Sequence, residues 1–146
     1  MKRILLVDDE PALLQILRIM LTTEGYAVET AWSSQEAWGL LNQSDYDLVV
    51  TDFNMPGMKG DELARLIKER WPGFPVVMLS GSAEILRASG RPLTGVDVLI
   101  GKPFNMTELR QEIAQLLKER EIFEMRANEK IWADSPTQSE LVGRVG

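Results

Sequence analysis

Asp52 lies in the run Leu48, Val49, Val50, Thr51, Asp52, Phe53, Asn54, Met55, Pro56, Gly57, Met58, Lys59, Gly60. A short apolar stretch ends on a carboxylate, and a loop punctuated by Pro and Gly follows at once. A carboxylate where a buried strand ends and the chain turns away is placed for chemistry rather than packing. Residues 4–7 end in the same way, on Asp8 and Asp9 with Glu10 next. Three acids gathered at strand ends repel one another, so they make sense around a cation. Mg²⁺ suits such a set, because it is a hard ion that prefers oxygen ligands and retains several waters. A carboxylate is also a nucleophile towards a phosphoryl group, giving an acyl phosphate. Lys102 offers a compact positive charge for one phosphate oxygen, and Ser80 a hydroxyl donor for another.

Each of these residues also has a plain structural reading. Asp8 and Asp9 suit the cap of a first helix. Asp52 alone can be a loop acid, Ser80 a turn hydroxyl, Asn54 a turn former and Lys102 a solvated lysine followed by a strand-breaking Pro103. What separates the two readings is position. All of these residues fall at the ends of strand-like runs, in one order along the chain.

The elements that must hold them are legible. Short, β-rich apolar runs occupy residues 4–7, 27–31, 48–51, 76–79 and 98–100, mostly without polar alternation. Strands covered on both faces of a parallel sheet read this way. Between them lie helix-period stretches. Pro11 suits a first helical turn, with Leu13, Leu14, Leu17, Met20 and Leu21 as the apolar stripe and Gly25 as the stop. Ser33 and Glu36 form a capping-box pattern for the second helix. The third follows Gly60, carries Leu63, Leu66 and Ile67, and stops before Pro72. Asn105 and Glu108 cap the fifth, which turns Leu109, Ile113, Leu116 and Leu117 inwards. The fourth, around residues 82–89, is interrupted by Gly90, Pro92 and Gly95, so it should be short or irregular.

Five such βα units predict an α/β fold: a flavodoxin-like, doubly wound, five-stranded parallel sheet of order 2-1-3-4-5. Ligands then bind beyond the carboxyl ends of the strands, where Asp8, Asp9 and Asp52 fall. The expected organisation is one domain over residues 1–120. A helical extension running through Phe123 and Ala127 towards Trp132 follows, stopped by Asp134, Ser135 and Pro136, with a flexible tail or linker to residue 146.

Composition removes several function classes. The chain has 146 residues, 45% of them apolar, with 16 basic against 22 acidic residues and a net charge of −6. That balance is poor for direct nucleic-acid binding and for anionic membrane surfaces. There is no Cys and no His, which excludes disulfides, thiolate chemistry, imidazole bases and a phosphohistidine on this chain. No apolar run approaches the ~20 residues of a membrane span. Neither a signal peptide nor an anchor is read, so the expected location is cytoplasmic. The four Trp form no base-stacking stripe and read as packing or surface residues.

The whole constellation resembles the receiver domain of two-component response regulators. It comprises Asp8 and Asp9, Asp52 with its loop through Pro56 and Gly60, Ser80, and Lys102 with Pro103, and the match covers about residues 2–120. The resemblance implies roles. Asp9, Asp52 and the backbone carbonyl of Asn54 would bind Mg²⁺ directly, and Asp8 through water. Asp52 would accept a phosphoryl group from a histidine kinase or a phosphotransfer protein. Ser80 and Lys102 would bind that group, and the Lys102–Pro103 bond would be cis. Asn54 and Ser82, two places after Asp52 and Ser80, would tune hydrolysis of the phosphoryl group.

Two departures concern the output. Leu99 stands where receivers usually carry an aromatic switch, and Gly81 replaces the commoner Ala. With the broken fourth helix, these changes predict a non-standard output signal. Two other functions compete: an interaction module that signals without phosphorylation, and a small aspartate-nucleophile phosphohydrolase. The second would need an acidic residue where Asn54 stands. No effector domain is read after residue 120. The chain is therefore a stand-alone receiver, or a part of a hybrid kinase or larger regulator, and its extension is a linker or a dimerising segment.

Overall fold

Strand and helix alternate five times in the computed structural model, which describes residues 1–90 and 93–133. The order is β1 (Arg3–Val7), α1 (Pro11–Thr23), β2 (Ala27–Ala31), α2 (Ser34–Gln43), β3 (Leu48–Asp52), α3 (Gly60–Arg70), β4 (Val76–Ser80), α4 (Ala83–Ala88), β5 (Val98–Gly101) and α5 (Met106–Ala133). The five strands are parallel and ordered β2-β1-β3-β4-β5, the topology expected from the chain pattern.

Alternation along the strands divides the core into two layers. Ile4, Leu6, Leu48, Val50, Val77 and Leu79 face α1 and α5, where Leu14, Leu17, Leu21, Leu109 and Ile113 meet them. Leu5, Val7, Val49 and Val76 face α2 and α3, against Ala37, Leu41, Leu63 and Ile67. Every residue of β3 and β4 is buried, while the edge strands β2 and β5 are only partly covered. This is why residues 48–50 and 76–79 are unbroken apolar runs.

The helix starts follow local chemistry. Pro11 opens α1. Ser33 Oγ accepts from the Glu36 N–H at 3.1 Å. The returning Glu36 carboxylate, however, binds the Trp32 N–H at 3.0 Å, one residue ahead of the position a capping box requires. Asn105 Oδ1 accepts from the N–H groups of Thr107 at 2.7 Å and Glu108 at 3.3 Å, which starts α5. Helix α4 has only six residues, as its flanking glycines predict.

Helix α5 continues well past the sheet. Leu109, Ile113 and Leu117 are buried, with Leu116 at the margin. Arg120 then fastens the helix, donating to the Asp47 carbonyl at 2.7 Å and lying 4.8 Å from the centre of the Phe74 ring. Beyond it, Ile122, Phe123 and Met125 are exposed. The expected stop at Asp134, Ser135 and Pro136, and the tail after it, lie outside the described residues. Among the described residues, no helix is long and apolar enough to cross a membrane.

Candidate functional site

A parallel sheet delivers all its strand ends to one edge. Asp52 is the last residue of β3 and Ser80 the last of β4. Asp8 and Asp9 follow β1 directly, and Lys102 follows β5. Ser80 is in register with Gly101, and the Lys102 N–H donates to the Ser80 carbonyl at 2.9 Å, so β4 and β5 finish level.

Asp8, Asp9 and Asp52 each contribute a carboxylate oxygen to a group in which these atoms lie within 4.8 Å of one another. Asp8 and Asp52 are buried, and Asp9 is exposed, so the cluster opens to solvent on the Asp9 side. Lys102 Nζ bridges the buried pair, 3.1 Å from Asp52 Oδ1 and 3.2 Å from Asp8 Oδ2. Asp8 also serves the helix entry, its Oδ1 accepting from the Glu10 N–H at 2.9 Å. That bond orders the turn ahead of α1 without capping the helix, whose N-cap Glu10 takes no side-chain cap, while the other oxygen meets Lys102.

Burial raises the pKa of Asp52, and the nearby charge of Asp8 adds to the rise; Lys102 and the Phe53 N–H only partly oppose it. For Lys102, burial alone would lower the pKa, but its contacts with Asp52 and Asp8 outweigh it and the value is raised. Three carboxylates against one ammonium leave two surplus negative charges (three minus one) in one small volume. A donor set of hard oxygens with surplus negative charge fits a divalent cation of the Mg²⁺ type.

The remaining site residues surround this cluster. Ser80 is fully buried, and its Oγ accepts from the Ser82 N–H at 3.0 Å, which leaves its own proton to donate. The exposed Asn54 side chain is engaged with the Lys59 ammonium at 3.3 Å rather than with the carboxylates. The Lys102–Pro103 peptide bond is cis. Leu99 is half-buried, and its carbonyl accepts from the Arg87 guanidinium at 2.5 Å, a bond that ties α4 to β5.

The sequence placed Gly60 in the loop after Asp52 but gave no sign of its contact with the Asp52 backbone. Gly60 begins α3, and a Cβ built there would lie 2.1 Å from the Asp52 carbonyl oxygen. The start of α3 is thus pressed directly against the backbone of Asp52. Its N–H donates to the Phe53 carbonyl at 3.0 Å, which locks the loop. The available signal was a glycine at a helix start, where Ser, Thr, Asp or Asn is more usual one place earlier.

Residues 4–114 match the family model described as the response regulator receiver domain. The chain belongs to this family. It is 39% identical over 116 residues to the transcriptional regulatory protein GlrR of Escherichia coli K12, covering 80% of this chain and 26% of that protein. It is 33% identical over 142 residues to ResD of Bacillus subtilis, covering 96% of this chain and 56% of that one. The receiver chain thus spans between about a quarter and just over half of these relatives. Among solved structures, the response regulator TrrA of Thermotoga maritima, in complex with Mg²⁺-BeF, superposes with a TM-score of 0.73 at 34% identity. That match covers 80% of this chain and 99% of TrrA. A receiver domain protein of Methanospirillum hungatei gives a TM-score of 0.77 at 33% identity, covering 83% and 97%.

Proposed function

We propose that this receiver domain accepts a phosphoryl group on Asp52 from a histidine kinase or a histidine phosphotransfer protein, with Mg²⁺ as cofactor, and acts as a signalling switch. The observation that carries this reading is the group of Asp8, Asp9 and Asp52 oxygens within 4.8 Å, bridged by Lys102. Asp9, Asp52 and the Asn54 backbone carbonyl would hold the ion directly, and Asp8 through water. A bound Mg²⁺ supplies charge neutralisation for the phosphoryl oxygens.

The chain's own residues supply the rest. An Asp52 carboxylate oxygen forms the new O–P bond as the N–P bond to the donor imidazole breaks. The electron pair stays on the imidazole nitrogen, which takes up a proton. Lys102, already 3.1 Å from Asp52, stays beside the new dianion as its counter-charge. Ser80 turns its hydroxyl to a phosphoryl oxygen, and its bond to the Ser82 N–H weakens. That bond tethers the start of α4, and Gly81 beside it has open space around its Cβ position. We therefore read α4 as the moving part. With Leu99 in place of a ring, the Arg87–Leu99 bond is the feature that links α4 to β5. Asn54 and Ser82 flank the route by which water reaches the phosphoryl group.

The protein is regulatory rather than an enzyme turning over a substrate. The switch domain is placed at residues 1–120. The helix beyond it leads towards an effector domain or a second copy of the chain, and a cytoplasmic location is part of the same proposal.

Incubation with Mg²⁺ and acetyl phosphate is expected to label the wild type, and Asp52→Asn is expected to abolish the label. Equal labelling of both would remove the assignment. Multiple turnover of phosphomonoesters would instead revive the phosphohydrolase reading. Signalling that survives Asp52→Asn would favour the phosphorylation-independent one.

A further inference from the structure

We propose that Trp32 is a docking anchor for the protein that donates the phosphoryl group, gripping its surface beside the reactive histidine. The inference rests on Asp52 being the phosphoacceptor. Trp32 is 67% exposed. A scattered exposed Leu or Ile needs no explanation, because much of any protein surface is apolar. A tryptophan presents more apolar area than any other side chain, and it is the residue type that most often anchors interfaces.

Its surroundings distinguish it from the other described tryptophan rings. Trp38 and Trp71 pack together with ring centres 5.7 Å apart, and Trp71 also meets Phe74 at 6.2 Å. Trp32 instead stands at the functional edge of the sheet. It follows the last residue of β2, Ala31, whose carbonyl accepts from the Asp8 N–H at 3.1 Å. The strand order β2-β1-β3 puts it two strands from Asp52, a lateral offset of about 10 Å at the usual strand spacing. A helix with its side chains is about 10–12 Å across. A helix that lowers a phosphohistidine onto Asp52 therefore brings its flank within reach of the indole.

The backbone under the ring is fixed before any partner arrives. The Trp32 N–H donates to the Glu36 carboxylate at 3.0 Å, and Ser33 binds the Glu36 N–H at 3.1 Å. Both bonds belong to the start of α2, so little backbone freedom is lost on docking. A small phosphodonor, by contrast, cannot touch Asp52 and Trp32 at once. That difference in size makes the role separable from the chemistry.

The test compares acetyl phosphate with a phosphorylated histidine phosphotransfer protein, selected because it labels the wild-type chain. Trp32→Ala should lower kcat/KM for the protein donor about tenfold or more, through KM, with the rate at saturation kept. Its labelling by acetyl phosphate with Mg²⁺ should match the wild type, and Trp32→Phe should recover part of the loss. Unchanged transfer from the protein donor would overturn the proposal. So would an equal loss with both donors, which would make Trp32 a support of the site. Failure of the wild type to label from acetyl phosphate is a distinct result, and it would remove the phosphoacceptor reading itself.

Discussion

Gly60→Ala is expected to destabilise the protein by about 2 kcal/mol and to slow phosphoryl transfer, while Gly39→Ala is expected to stabilise it by about 0.5–1 kcal/mol. Both glycines lie in helices, and neither has a positive φ. Helix propensity alone would favour alanine at Gly39, inside α2, by about 1 kcal/mol, and at Gly60, the first residue of α3, by less. The surroundings decide the sign. At Gly39 nothing lies within 4 Å of the position a Cβ would take. At Gly60 that position is 2.1 Å from the Asp52 carbonyl oxygen and 3.1 Å from its carbon, both backbone atoms. Neither atom can rotate away, so α3 or the end of β3 must shift. Asp52 then moves relative to Asp8, Asp9 and Lys102. A misplacement of about 1 Å in a positioned reaction can cost about 10²-fold in rate. Urea midpoints for the two variants should move in opposite directions, and acetyl phosphate labelling should fall only in Gly60→Ala. A Gly60→Ala protein as stable and as readily labelled as the wild type would show that α3 is not pressed on Asp52.

The same pair of glycines shows where sequence reading stops. The strands were legible because β3 and β4 are buried along their whole length, so they run apolar until the polar residues at their ends, Thr51 with Asp52 and Ser80. The strand order followed from four short crossovers of one hand. The acids were legible because a carboxylate at the end of an apolar run has no packing reason to be there. Gly60 was legible as the end of the loop after Asp52, but its close packing was not, since close approach of two backbones is a property of the folded chain alone. Asp8 was legible as a helix cap or as a site residue, but a sequence cannot show that one oxygen accepts from the Glu10 N–H ahead of α1, capping no helix, while the other meets Lys102. The Arg87–Leu99 bond was hidden for a similar reason, because its acceptor is a backbone carbonyl and any residue offers one. The displaced return of Glu36, to Trp32 rather than Ser33, changes a cap by one residue and carries no composition signal. It is nonetheless what fixes the backbone beneath the exposed indole.

Lys102→Met should have the other large effect, and its sign depends on pH and on Mg²⁺. Without metal, the variant leaves Asp8 and Asp52 buried side by side with no ammonium between them. Breaking a buried ion pair costs about 3–5 kcal/mol; Lys102 is 24% exposed, so about 2 kcal/mol at neutral pH is expected. The folded-state pKa of Asp52 is already raised, first by burial. A group with a raised folded pKa contributes stability that is complete below its unfolded value, about 4 for an aspartate. That contribution is lost as pH rises through the folded value. Removing Lys102 takes away the chief opposing influence, so the folded pKa climbs further and the neutral-pH deficit grows. The deficit should therefore shrink on acidification. Lys102 itself has a raised folded pKa, so its contribution is complete at neutral pH and is lost only above the ordinary lysine range. Adding Asp52→Asn to Lys102→Met removes one of the two uncompensated charges and should restore most of the stability. Mg²⁺ should stabilise Lys102→Met more than the wild type, because no ammonium then competes for the same oxygens. Urea midpoints in chelator and in saturating Mg²⁺, taken across acid to neutral pH, separate these effects. A loss that is independent of pH and unmoved by Mg²⁺ would mean that Lys102 acts through the packing of its stem, and that the carboxylates do not need its charge.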